Sequence, residues 1–176
     1  MDQEKAAPRR RASVGEKDQQ LARMNYKRMG RELAMQFLYQ CDVTGGECTD
    51  AMREQFFLQA EESGEFPANR IFRKARNYAE KLIAGVNENE NEIMDIIAGF
   101  AHAWDSDRMS VVDRNIMKIA IYEMKFTEGI PPLVSINEAI EIAKQFSSEN
   151  SGTFINGILN SVKNTLKGSP AKQEEE

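Results

Sequence analysis

The sequence predicts an all-α fold, a compact bundle of about seven helices with a central apolar helix, and three observations carry that expectation. Apolar residues recur at intervals of three and four through most of the chain. No stretch joins a period of two to turn chemistry, and Gly, Pro and Ser-Gly breakers cut the periodic runs into lengths typical of helices. There is no internal repeat, so a solenoid is not expected. The 176 residues suit one domain or two small lobes, since a single core organises roughly 100 to 200 residues.

Residues 1–24 mix Pro8, Gly15 and many charges without apolar periodicity and read as a flexible basic extension. From near Asn25 to Asp42, Leu33, Phe37 and Cys41 recur every fourth residue beside Ala34 and Leu38, which marks one face of an amphipathic helix; Gly45-Gly46 stops it. Thr49 or Asp50 is expected to cap a second helix through Glu62, with Met52, Phe56 and Phe57 on its apolar side and Ser63-Gly64 at its end. A third is expected from about Pro67, a residue suited to a first turn, to about Val86. A fourth carries Ile93, Ile96, Ile97 and Phe100 and stops near Trp104, before the Asp105-Ser106-Asp107 loop.

Ser110 to Phe126 is the most apolar segment. Ile116, Ile119, Ala120 and Ile121 occupy more than one face of it, and a helix apolar around most of its girth must be surrounded by others. Gly129 and Pro131-Pro132 break the chain next. Ser135-Ile136-Asn137-Glu138 has the pattern of a capping box that would open the sixth helix. The last runs from about Ser151 to Leu166 and buries Phe154, Ile155, Ile158, Leu159 and Val162; residues 167–176 read as a disordered tail. The ordered body thus spans 25–166.

Composition restricts the function. No apolar run approaches the roughly 18 residues that suggest a membrane span, and the N-terminus is charged where a signal peptide would be apolar, so a cytoplasmic protein is expected. Cys41 and Cys48 are too few for a disulfide scaffold, and with His102 as the single histidine no zinc set or histidine cluster can form. The net charge of −5 conceals an asymmetry: residues 1–31 hold nine Lys or Arg against four acids, and the remainder 14 against 24. A basic beginning on an acidic body is a partner signal. Arg9-Arg10-Arg11 could serve solubility or add salt-sensitive attraction to nucleic acid.

No signature of an activated nucleophile, a metal site or a phosphate cradle is present, so neither an enzyme nor a bound cofactor is expected. His102 fits an ordinary hydrogen bond as well as a base. Asp105 and Asp107 fall short of the ligand count of a calcium loop. Gly157, inside a helix, fits a close helix contact or the approach of a ligand or RNA backbone. The first helix says more. At about 100° per residue, Arg28, Arg31, Met35 and Tyr39 share one row beside the core row, with Lys27 at its edge. Such a row can present guanidinium groups to phosphates and a ring to an unstacked base. It equally fits a solvated flank whose arginine stems cover the edge of the core.

Four ordered motifs carry a family resemblance. Arg31-Glu32-Leu33-Ala34-Met35-Gln36-Phe37-Leu38-Tyr39-Gln40 resembles the opening helix of the NusB transcription antitermination family, and Arg108 to Met124 resembles its long core helix. Val134 to Lys144 and Phe154-Ile155-Asn156-Gly157-Ile158-Leu159 stand in the same order and spacing, so the similarity covers about residues 25–166. The resemblance implies an all-helical, non-catalytic RNA-binding factor. It would pair with NusE, a ribosomal small-subunit protein, bind boxA-like single-stranded RNA, and join the RNA polymerase elongation complex with other Nus factors to suppress premature termination during rRNA transcription.

Carried over by position, the family's arginine-rich start maps to Lys27, Arg28 and Arg31, with Tyr39 following. Its RNA-facing loop before the last helix maps to Ser148, Glu149, Asn150 and Ser151, leading to Phe154. The NusE dock maps to Asp107 and Asp113, where a loop acid and a helix-start charge are the ordinary alternatives. The sequence departs from the family pattern at Asn150, commonly an acid, at Thr153, often near a basic residue, and at Met29, which interrupts the arginine cluster. Two other functions remain: an RNA-recognition module working in trans with an rRNA methyltransferase, since similar helical domains precede such enzymes, and a protein-interaction scaffold whose arginines meet only acidic partners.

Overall fold

The structure, a computed structural model, describes residues 26–45, 47–66, 69–101 and 109–167. The basic extension with Arg9-Arg10-Arg11, Pro67, His102, Trp104, Asp105, Asp107 and the C-terminal tail lie outside the described residues. Seven helices make up the described body: α1 (Tyr26–Thr44), α2 (Asp50–Glu62), α3 (Arg70–Glu88), α4 (Glu90–Ala101), α5 (Val111–Phe126), α6 (Pro132–Phe146) and α7 (Ser151–Lys167). No strand occurs among the described residues.

The bundle is organised around α5, which packs on α1, α3, α4, α6 and α7. Ile116, Met117, Ile119, Ala120 and Ile121 are all buried, as the breadth of its apolar surface requires. Its buried polar residues find partners on neighbouring elements: Asn115 donates to Asp42 at 3.0 Å, and Lys118 meets Glu90 at 2.7 Å. Pairing is what lets a charge be buried at all. The most extensive helix pair is α1 against α3. There Gly30 allows the close approach, because a Cβ on it would stand 2.9 Å from both the Ala75 carbonyl oxygen and the Tyr78 ring. α2 is held mainly through Phe56 and Phe57, with Phe56 tilted against Phe37 and Arg76 of α3 over the Phe57 ring.

Local chemistry explains the helix ends, and three expectations need correction. Thr49 caps α2 by accepting from the Met52 amide, and Ser110 caps α5 by accepting from the Asp113 amide at 3.0 Å, as expected of hydroxyls at that position. The third helix begins at Arg70, not near Pro67, because the Asn69 carboxamide accepts from the Ile71 amide at 2.9 Å and makes the stronger start. It also runs past Val86 to Glu88; Asn89 then donates its side-chain amide to the Gly85 carbonyl, and within the polar run at 87–91 it alone separates α3 from α4. The capping box at Ser135 does not form. Pro132 starts α6 three residues earlier, where the missing proline amide costs nothing, the Ser135 hydroxyl is buried without a hydrogen bond among the described residues, and Glu138 is drawn to two arginines instead.

Candidate nucleic-acid interface

The beginning of α1 meets α3, α5 and α6 in a layered set of charges. Arg31 lies innermost, 2% exposed, and donates Nε and Nη2 to Glu123 of α5, itself 1% exposed, at 2.8 and 2.9 Å. The Tyr78 hydroxyl of α3 donates to the same carboxylate, and the Arg31 guanidinium lies over the Tyr78 ring, 5.7 Å from its centroid. Burial, reinforced by its bond to Glu123, raises the Tyr78 pKa far above the ordinary phenol value. The hydroxyl therefore remains a donor throughout the physiological range.

One turn nearer the start of α1, Arg28 donates Nε and Nη2 to Glu138 of α6 at 2.7 and 2.8 Å. This pair is on the surface side: the Arg28 side chain is 38% exposed. The fork engages one edge of the guanidinium and leaves Nη1 without a hydrogen bond among the described residues. The two layers are linked because Arg31 Nη1 lies 3.5 Å from the Glu138 carboxylate. Glu138 is thus set between two guanidinium groups, and bidentate geometry fixes the plane of each arginine. Lys27 Nζ lies 5.8 Å from the Tyr78 ring centroid, and exposed Tyr26 meets Tyr78 edge to face.

The row expected along α1 is therefore corrected. Arg31 and Met35 are buried beneath α5 and α6, and only the ends of the row, Arg28 and Tyr39, reach solvent. Eleven residues of helix, about 16 Å, separate them. Sequence spacing identified the common face correctly but could not reveal that α5 and α6 cover its middle. Glu123, Glu138 and Tyr78 position the arginines, yet nothing local to Glu123 or Tyr78 in the sequence signals the contact, and the spacing at Glu138 points to a cap.

Glu32 adds a pH response. Its carboxyl is raised above the ordinary value, chiefly by burial and opposed by Arg28. The native state then holds this proton more tightly than the unfolded chain, so the contribution to stability is greatest below the unfolded carboxyl range and is lost as pH rises through the raised value. Glu32→Gln is expected to raise the melting midpoint at pH 7 and to have little effect near about pH 3, where both states are protonated. Thermal melts at the two pH values check this; an equal shift at both would contradict it.

The second candidate edge is the junction of α6 and α7. Asp113, expected to face a protein partner, is 6% exposed and points its carboxylate into this junction. It accepts from Ser147 at 2.6 Å and from Ser151 at 2.9 Å. Ser151 is buried and also bonds Ser148 through their hydroxyls at 2.9 Å. The expectation that Asp113 contacts the protein partner is corrected accordingly: its buried carboxylate is used in organising the loop. Ser148, Glu149 and Asn150 are exposed at the rim, while Phe154 packs partly against the core. Cys41 and Cys48 stand with Cα atoms 5.6 Å apart, within disulfide span, as one local tie after α1. No group of three or more potential metal ligands occurs among the described residues.

Comparison with known proteins agrees with this architecture. A sequence model of the NusB family matches residues 28–164. The chain is 43% identical over 140 residues to the transcription antitermination protein NusB of Bacillus cereus (strain B4264), covering 80% of this chain and 98% of that one; the Bacillus anthracis (strain A0248) protein of the same name matches equally. Among solved structures, T. maritima NusB superposes with a TM-score of 0.64 at 33% identity, over 78% of this chain and 90% of that one. A crystal structure of antitermination factors NusB and NusE in complex with dsRNA shares the fold, with a TM-score of 0.64 at 23% identity over 81% and 98% of the two chains.

Proposed function

Since the chain belongs to the NusB family, we propose that it is a transcription antitermination factor that binds boxA-like RNA together with NusE and suppresses premature termination during rRNA transcription. Its work is assembly, and no catalytic step is assigned to it. The observation that carries the RNA part is Arg28, a half-exposed guanidinium held in a fixed plane by Glu138, with Lys27 next to it in sequence and the exposed Tyr26 ring at the start of the same helix. A pre-positioned cation contacts phosphate with less entropy to lose than a free side chain. The exposed Tyr26 ring offers a stacking surface to an unpaired base.

In this reading Lys27 and Arg28 meet the RNA backbone, and Tyr39 meets it further along α1. Arg31 is a positioning residue that acts through Glu123 and Glu138. Ser148, Glu149 and Asn150 form a second RNA-facing edge, held by Ser151 and Asp113, with Phe154 fixing the start of α7. Asp107 remains the acid proposed to face basic NusE. The assembled complex would then join the RNA polymerase elongation complex with other Nus factors, in the cytoplasm; no described helix is long and apolar enough to cross a membrane.

Binding of the full chain to boxA-like and scrambled RNA, each with and without NusE, tests the proposal. Sequence-selective binding that improves with NusE is expected, and no affinity for either RNA under either condition sinks it in favour of a scaffold. Arg28→Gln is expected to weaken boxA binding about tenfold and to reduce the log–log salt slope by about 0.7, the value for one lost contact to a single strand. An unchanged slope would remove Arg28 from the interface.

A further inference from the structure

We propose that the outer face of α3 is a second RNA-backbone track, which extends the interface at the start of α1 to nucleotides flanking the boxA-like element. This rests on the RNA-binding reading above. Arg70, Arg73, Lys74, Asn77 and Lys81 are all exposed. At about 100° per residue they fall within an arc of about 100° on one side of the helix and span about 16 Å along it. With Arg76, residues 70–81 hold five of the 14 Lys or Arg found beyond residue 31, against the single acid Glu80. A concentrated cationic stripe on a body that is otherwise acidic has no role in the core.

Neighbouring acids do not neutralise it. Glu54 and Glu80 both pair with Arg76, at 2.8 and 3.5 Å. Arg70, Arg73 and Lys81 have no ion pair among the described residues. The stripe is also continuous with α1: Lys74 lies over the Tyr26 ring at 5.8 Å, and Lys27 over Tyr78 at the same distance. Lys27 and Lys74 therefore sit on the edge-to-face pair of Tyr26 and Tyr78, which joins the start of α1 to the exposed face of α3.

The chemistry of the stripe favours RNA over an acidic protein. A protein interface needs an apolar centre to exclude water, and the positions between Arg70 and Lys81 on this face offer none. A polyanionic backbone asks only for spaced cations that release its counterions. Such contacts position the strand and carry no sequence information, so their effect should appear on flanking nucleotides of any sequence.

The test uses the full chain, a boxA-like RNA, and the same RNA lengthened by an oligouridine flank. The unaltered protein should bind the longer RNA more tightly. The triple variant Arg70→Gln/Arg73→Gln/Lys81→Gln should lose about tenfold on the longer RNA and about 2 from the log–log salt slope, which is roughly 0.7 for each of three phosphate contacts, while the short RNA changes far less. The charge-preserving triple Arg70→Lys/Arg73→Lys/Lys81→Arg should keep the gain. Unchanged affinity and slope on the longer RNA overturn the proposal, as does a loss confined to NusE binding, which would make the stripe a protein surface. If the unaltered chain binds neither RNA, the boxA reading itself fails, and that result is distinct from a triple variant that binds each RNA as the unaltered chain does.

Discussion

Glu123→Gln is expected to cost about 3–5 kcal/mol of folding stability, the usual consequence of leaving one member of a buried ion pair without its partner. Arg31 would retain its charge at 2% exposure, since no guanidinium deprotonates at accessible pH. Tyr78 would lose the carboxylate to which it donates. At about 2–4 °C per kcal/mol for a chain of this size, the melting midpoint should fall by roughly 10 °C. Replacing both members with apolar residues, Arg31→Met with Glu123→Leu, should recover much of the loss, because the pair repays a desolvation penalty that an apolar core does not incur. Denaturant titration of the two variants decides the matter: a loss below about 1 kcal/mol for Glu123→Gln would mean that the pair is not buried as described. The variant should also weaken RNA binding beyond its effect on folding, since Arg31 helps hold Glu138, and Glu138 holds Arg28.

Gly85→Ala should be nearly as damaging, for a steric reason. A Cβ on Gly85 of α3 would stand 2.1 and 2.2 Å from ring carbons of Tyr122 on α5. That ring is buried and stacked on Phe126, so it cannot swing aside freely. In an open helix the same substitution would stabilise by up to about 1 kcal/mol; here overpacking should reverse the sign and cost about 3 kcal/mol. Tyr122→Ala removes the obstacle while destabilising on its own account. A double-mutant cycle should therefore show Gly85→Ala costing far less in the Tyr122→Ala background, and additive losses would exclude the clash as the cause.

Much of the fold was legible in the sequence because helix formation reports itself locally. The apolar periods of α1, α5 and α7, the cap at Thr49 and the breakers after α1 and α2 each act within a turn or two of the chain. Where local signals competed, reading them failed. Ser135 and Glu138 have the spacing of a capping box, yet Pro132 starts α6 earlier and two arginines capture the glutamate. The family's motifs led to the start of α1 and to the loop before α7, and the motifs themselves could not separate a residue that touches RNA from one that supports it. Arg28 and Arg31 are indistinguishable by type and share a helix face; one is half-exposed and the other buried.

The sequence by itself determined the helical class, the central position of α5, the basic beginning on an acidic body and the family to which the chain is similar. Tertiary structure decided which charges remain available to a partner. Arg31 meets Glu123 across 92 positions of sequence and Arg28 meets Glu138 across 110, while Asp113 is turned inward by serines 34 and 38 positions away. A side chain's helical phase is set by its neighbours in sequence, but its burial and its counter-ion are set by whichever distant element packs against it.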